Sequence, residues 1–370
     1  MDQRKNIDEI DKNFAVEQVT YEGMNTVLLP SAPFEIDGLY HAVSGDYSRL
    51  PKETAFQCNE PVQQMFTCTS GGRIRFRTDS ERIIIKCTMP DPMTPMPHMA
   101  FTGSNCFDLY ADGSYVNAFR PGMTVSGAHL SRSVYFVAHG YEALMRLPGR
   151  RMREILIHFP LYARVTDIWI ALEEGASLEA PSPYLISDPI VFYGTSVTQG
   201  GCVSHAGNNY PALLSGWLNA DFINLGFSDG GRGDQAMAEY LKDLPMSVLV
   251  LNYDENVRSE DIGGIYEPFF RAIREKRPDL PVIFASGMFS YYQEDDTAKR
   301  FEAILKTYEH ALEAGDRKVW LLNGREAVAP YGGTDTASVE GRHANDLGSY
   351  AYAKALEPIL MEALSSRVDP

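Results

Sequence analysis

From Ile190 to the end of the chain, short and almost wholly apolar runs alternate with longer amphipathic stretches. IVFYG, DFINLGF, SVLVLNY, PVIFASG and KVWLLNG are the runs. Between and after them lie NYPALLSGWLNA, GDQAMAEYLKDL, EPFFRAIREKRPDL, AKRFEAILKTYEHALEAG and SYAYAKALEPILMEALSS, which repeat apolar residues at helical spacing. A strand that is apolar on both faces must be covered on both faces. This alternation therefore predicts a parallel sheet between helices, with its reactive edge at the carboxyl ends of the strands.

The first half has another grammar. RIRFRTDSERIIIKCTM, SVYFVAHGYEALMRL and REILIHFPLYARVTDIWIAL alternate apolar and polar residues and are rich in β-formers, with Gly, Pro, Asp and Ser between them. A β-sandwich, jelly-roll-like, is expected over residues 15–180. It follows a polar tail or arm at 1–14. The proline-bearing stretch 181–189 reads as a linker, and 190–370 as the α/β domain. A chain of 370 residues is long enough for two cores.

Charge narrows the partners. Lys and Arg total 33 against 49 Asp and Glu, a formal charge of -16. Such a field repels nucleic acid and anionic lipid, so a small neutral substrate is the expected partner, with self-association left open. The polar start and the lack of a long apolar run predict no signal peptide and no membrane span, and hence a cytoplasmic location. Five cysteines without CxxC spacing read as reduced thiols, Cys202 among them as a small buried residue. HExxH and zinc-ribbon spacings do not occur, and GGRGD lacks the Lys-Ser/Thr of a phosphate loop, so neither metal nor cofactor is expected.

The strand ends gather small and polar residues: Gly194-Thr195-Ser196, Gly226-Phe227-Ser228, Asp254-Glu255-Asn256 and Ser286-Gly287. Glu340-Gly341-Arg342-His343 precedes the last helix. Serine-based acyl chemistry needs a hydroxyl, a base, a group that orients the base, and donors for the oxyanion. Ser196, His343 and Glu340 can fill the first three roles, with Asp335 a fallback for the acid. The Ser196 N–H, the Gly226 N–H and the Asn256 amide can supply the donors. Each has an ordinary alternative: a serine, glycine or asparagine after a strand is often only a turn former, and a histidine near a helix start is often only an entry residue. Gly-x-Ser-x-Gly is absent, because Thr198 stands second after Ser196.

Taken in order, GTSVTQG, NLGFS, YDENV and EGRHANDLG resemble the four blocks of the SGNH (GDSL-like) hydrolases. The resemblance implies Ser196, Gly226, Asn256 and His343 as the four signature residues, and a flavodoxin-like α/β domain. GGCVSHAGNNY, with Cys202, Ser204, Gly207 and Tyr210, is similar to a subfamily whose N-terminal β domain carries Gly-x-Asp-Leu-Tyr. Here that motif reads Cys106-Phe107-Asp108-Leu109-Tyr110. Two departures stand out. Glu340 replaces the usual Asp three residues before the histidine, and His205-Ala206 replaces a frequent Arg-Pro. His205, Thr195, Asp108 and Tyr110 are accordingly candidate substrate contacts. The resemblance implies an esterase. The absence of a helical lid, the preceding β domain and the aromatics of YADGSYVNAF and MFSYYQED point to O-acetyl groups on oligosaccharides. The alternatives are a short-chain lipid, aryl or thioester hydrolase, and a non-catalytic carbohydrate-binding or oligomerisation protein.

Overall fold

A computed structural model describes residues 5, 7–90, 96–121, 140–288 and 294–367. Part of the expected strand at 133–147, positions 1–4 and 6 of the expected tail at 1–14, and the aromatics Phe289, Tyr291 and Tyr292 lie outside the described residues.

Among the described residues, the first half folds as two large antiparallel sheets and a two-stranded one, His41–Val43 with Asp46–Ser48. One large sheet runs Met24–Leu28, Asp167–Glu173, Arg82–Thr88, Tyr141–Arg146 in spatial order. The other runs Leu178–Glu179, Arg73–Thr78, Arg153–His158, Asp108–Ala111, Ser114–Ala118, with Glu35–Asp37 also paired to Arg73–Thr78. Alternation explains the packing. Ile83 and Ile85 from one sheet and Ile74, Phe76, Ile155 and Ile157 from the other share a single core. Ile84, between the first two, faces the opposite side with Met24 and Ala171.

The second half is a five-stranded parallel sheet. Its strands are Ile186–Gly194, Ala220–Gly226, Val248–Asn252, Val282–Ala285 and Val319–Leu322. Numbered in chain order, they lie 2-1-3-4-5, the flavodoxin-like order. The first strand starts at Ile186, inside the stretch expected as a linker, because Ile186 already pairs with Ala220. Helices Gln235–Asp243, Ile262–Lys276 and Glu294–Glu313 cover one face, burying Leu241, Phe269 and Ile304 against Val191, Leu249 and Phe284. Helices Tyr210–Leu218 and Asp346–Ser365 cover the other, burying Leu214, Leu356 and Leu360 against Ile190, Phe192 and Val250. Each large apolar side chain so buried contributes about 1.5–3 kcal/mol. Among the described residues no helix is long and apolar enough to cross a membrane. All five cysteines are free and buried.

The halves are locked together by charge as well as by apolar contact. Two short helices of the first half, Lys52–Gln57 and Glu60–Met65, place Ala55 and Val62 in the core of the parallel sheet. Arg49, fully buried, donates to the carbonyls of Gly226 (2.6 Å), Asn224 (3.2 Å) and Met65 (2.8 Å) and lies over the Phe227 ring. Arg73, also fully buried, donates to Phe222 O (3.1 Å) and Tyr184 Oη (3.0 Å) and pairs with Asp221. A buried guanidinium holding otherwise unsatisfied carbonyls fixes a junction in one geometry.

His158 gives this junction a pH dependence. It ends strand Arg153–His158, directly across from Arg73 on one side and Asp108 on the other. Burial pushes its imidazole down to about 4; the Arg73 and His205 charges act the same way, and Asp108 opposes them. In the unfolded chain the imidazole takes a proton near 6.5, and the folded protein refuses it. The stability held through this group is complete above pH 6.5 and is lost as pH falls toward 4, by up to about 3 kcal/mol. Urea unfolding of wild type and His158→Gln at about pH 7 and about pH 4.5 is expected to show the wild type losing about 2–3 kcal/mol more than the variant. Parallel losses in the two proteins would contradict it.

Candidate active site

The site forms where the first strand stops. Gly194 ends that strand, and Thr195 caps the four-residue helix Ser196–Gln199, its side chain accepting from the Val197 N–H (3.3 Å). The turn is tight enough to demand glycine. A Cβ on Gly194 would lie 2.0 Å from Thr198 Oγ1, and one on Gly226 would lie 2.2 Å from the Gln199 nitrogen. Gln199 then holds the helix from both halves. Its Nε2 donates to Leu161 O (3.1 Å), its Oε1 accepts from the Ser228 N–H (2.9 Å), and its carbonyl accepts from Ser70 Oγ (2.8 Å).

His343 arrives from the loop before the last helix. Asn345 caps that helix through the Gly348 N–H (3.0 Å). Asp346 does something different. Its Oδ1 accepts from the Ser204 N–H (2.8 Å) and Asn208 Nδ2 (3.1 Å), which ties the helix to the loop after the serine. His343 Nε2 lies 2.8 Å from Ser196 Oγ, and its Nδ1 is hydrogen-bonded to Glu340 Oε1. The same carboxylate oxygen accepts the His343 backbone N–H (3.2 Å). Gly341, with φ +85°, lets the loop fold back over these three residues. A carboxylate facing Nδ1 keeps the proton there and leaves Nε2 to accept from the serine hydroxyl. Asp335, the fallback acid, sits exposed on helix Thr334–Ala337, whereas the partner of His343 is Glu340.

The expected oxyanion donors fare differently. Ser196 is the first residue of its helix, so its N–H falls outside that helix's own bonding. Asn256 Nδ2 donates one bond to Phe227 O (3.3 Å), leaving its second N–H. The Gly226 N–H is engaged with Asn224 Oδ1 at 2.8 Å, so in this conformation it is not free for a substrate oxygen. Gly226 instead makes room for the serine helix. On the turn that follows, Asp229 adopts the left-handed region (φ 55°), and its N–H makes no hydrogen bond among the described residues.

The four candidate substrate contacts turn out to hold the serine loop. Thr195 is buried and serves as the cap. Asp108, fully buried, accepts from the Gly207 N–H (2.7 Å) and bonds His205 Nδ1 (2.7 Å) through one carboxylate oxygen. Tyr115 stacks on His205, with ring centroids 3.9 Å apart, and Tyr110 packs against Gly207 and His158. Asp108 and Tyr110 of the β domain thus grip the loop that carries Cys202 to Tyr210.

Sequence reading gave no role to the two buried carboxyl groups next to Asn256, Asp254 and Glu255. Burial raises both Asp254 and Glu255, most strongly Glu255, with Arg342 and Arg300 opposing. Arg342 also donates to Glu255 O (2.8 Å), pinning the histidine loop to the Asp254–Asn256 turn. Tyr162 of the first half was missed as well; its Oη lies 2.6 Å from Ser228 Oγ. These two bonds join residues 87 and 66 positions apart, which leaves no local signal.

Comparison with known proteins bears on the fold and the family of each half. Residues 187–361 match the GDSL-like lipase/acylhydrolase family, and residues 30–178 match the N-terminal domain of the SGNH-hydrolase-type esterases. A Bacteroides ovatus protein described as a GDSL-like lipase is similar over 92% of this chain and 98% of its own, at 25% identity and a TM-score of 0.77. A salicylyl-acyltransferase from a tetracycline biosynthetic pathway is similar over 93% and 99%, at 20% identity and a TM-score of 0.73. A family two carbohydrate esterase from Clostridium thermocellum, solved with cellohexaose, is similar over 80% and 94%, at 14% identity and a TM-score of 0.58. No curated protein matches the sequence. By these matches residues 187–361 form a domain of the GDSL-like (SGNH) lipase/acylhydrolase family, and residues 30–178 the N-terminal β domain of the SGNH-hydrolase-type esterases.

Proposed function

We propose that this protein is a serine esterase that removes O-acetyl groups from oligosaccharides through an acyl-enzyme formed on Ser196. The observation that carries this reading is the continuous relay from Glu340 through His343 to Ser196. His343 takes the Ser196 proton as Oγ attacks the ester carbonyl. The oxyanion that forms accepts from the Ser196 N–H and the Asn256 amide, with the Asp229 N–H a candidate third donor. Collapse breaks the bond to the sugar oxygen, which receives the proton from His343. Water, deprotonated by His343, then releases acetate and restores Ser196. Glu340 keeps the imidazole in the right tautomer and stabilises its charged form.

The sugar assignment is supported by two lines. The chain has the two-domain arrangement of the carbohydrate esterases to which it is similar, and its charge of -16 disfavours polyanionic substrates. Release of acetate from acetylated xylo- and manno-oligosaccharides tests it. Deacetylation faster than turnover of butyryl or longer aryl esters is expected, and an enzyme active on aryl esters but inert on every acetylated sugar would refute the sugar assignment. A second reading, acyl transfer to an alcohol in place of water, is favoured by the likeness to the salicylyl-acyltransferase over nearly its full length. Products analysed with added alcohol acceptors separate the two.

A further inference from the structure

Two side chains beside the relay have no role in the hydrolysis proposed above. Cys202 is buried on the loop after the serine, and His98 reaches in from the β half, its ring centroid 6.1 Å from that of His343. Together with Glu340 and His343 they present four metal-ligating atoms, all within 4.8 Å of one another. We propose that His98, Cys202, Glu340 and His343 form a reversible site for a thiophilic divalent cation such as zinc, whose binding silences the esterase. The inhibitory part of this proposal rests on the function proposed above; the binding part does not.

The donor set is what zinc selects: one sulfur, two imidazoles and one carboxylate, four in number. Zinc bond lengths of about 2.0–2.3 Å in a tetrahedron place ligand atoms about 3.3–3.8 Å apart, so the four need to close by only about 1 Å. Access exists, since Glu340 is exposed and the two histidines are half-buried. Three separate segments supply the ligands, which explains why the sequence shows no metal spacing. The other four cysteines lie elsewhere in the two halves and carry no such neighbours among the described residues.

Occupancy and catalysis exclude one another. Glu340 and His343 Nδ1 are bonded to each other when the relay is set. A cation that takes either group removes the orienting bond, while Ser196 itself is untouched. The Cys202 thiol is free and buried. Binding must release its proton to solvent as the metal–sulfur bond forms, and affinity should therefore rise with pH.

Cobalt is the probe, because a thiolate ligand gives it a near-ultraviolet charge-transfer band that oxygen and nitrogen ligands do not. Titration of the full-length protein with cobalt chloride is expected to produce that band, and zinc to abolish it. Zinc should also inhibit 4-nitrophenyl acetate hydrolysis over the same concentration range. Cys202→Ala is expected to lose the band. Cys202→Ala and His98→Ala should each weaken zinc inhibition at least tenfold while leaving metal-free activity unchanged. His98 lies near the surface, so its variant decides the matter if the cysteine variant folds poorly. No thiolate–cobalt band up to millimolar cobalt would overturn the proposal, as would equal zinc inhibition of wild type and both variants. The band appearing on a protein without esterase activity would uphold the site and refute only the proposed function.

Discussion

Ser196→Ala is expected to lower kcat/KM on 4-nitrophenyl acetate by roughly 10⁴–10⁶-fold, with the thermal midpoint unchanged within about 2 °C. The hydroxyl is the only part of Ser196 that the variant removes, and its partner is His343 Nε2 at 2.8 Å. The serine N–H, the helix Ser196–Gln199 and its ties through Gln199 all survive. A variant that retains a tenth of wild-type activity would move the nucleophile elsewhere. A midpoint lowered by many degrees would show that Ser196 is needed for folding. Steady-state kinetics and a melting curve on the same preparation separate these outcomes.

Glu340→Gln is expected to cost roughly 10³–10⁴-fold in kcat with little change in KM. The amide is nearly the same size, so the loop can keep its course. Its NH₂ group, however, can donate to Nδ1, which moves the imidazole proton to Nε2. The nitrogen facing Ser196 then cannot accept the hydroxyl proton. Glu340→Asp asks a different question. Asp is one methylene shorter and is the acid expected of the family at this position, yet the loop here, turned by Gly341, is fitted to the longer side chain. It should retain more activity than Glu340→Gln. If Glu340→Gln and wild type have equal kcat, the third member is not Glu340 and the relay is a dyad.

The sheet of the second half was legible because each parallel strand is apolar on both faces and leaves an unbroken run such as VLVLN. The same regularity located Ser196 and His343, since strand ends and a helix start bracket them. Two kinds of feature were not legible. Arg49 and Arg73 read as ordinary charges in a β domain, yet each is buried and reaches carbonyls 177 and 149 positions away, respectively. No local pattern records such contacts. Asp108 and His205 were legible as important but not as partners. Their bond joins two halves read with different periodicities, and it clasps the serine loop. Gly226 was placed at a strand end; that its N–H is bonded to Asn224 Oδ1, and that a Cβ there would meet the Gln199 nitrogen, shows only in three dimensions.

A covalent acyl-enzyme on Ser196 is the central claim. It is tested most directly by quenching the enzyme with acid during turnover of 4-nitrophenyl acetate and mapping the adduct by peptide mass spectrometry. One acetyl group is expected, on the peptide that contains Ser196, absent from Ser196→Ala and short-lived in wild type. An acetyl group on Cys202 or on any other residue, or none while product still forms, would contradict it.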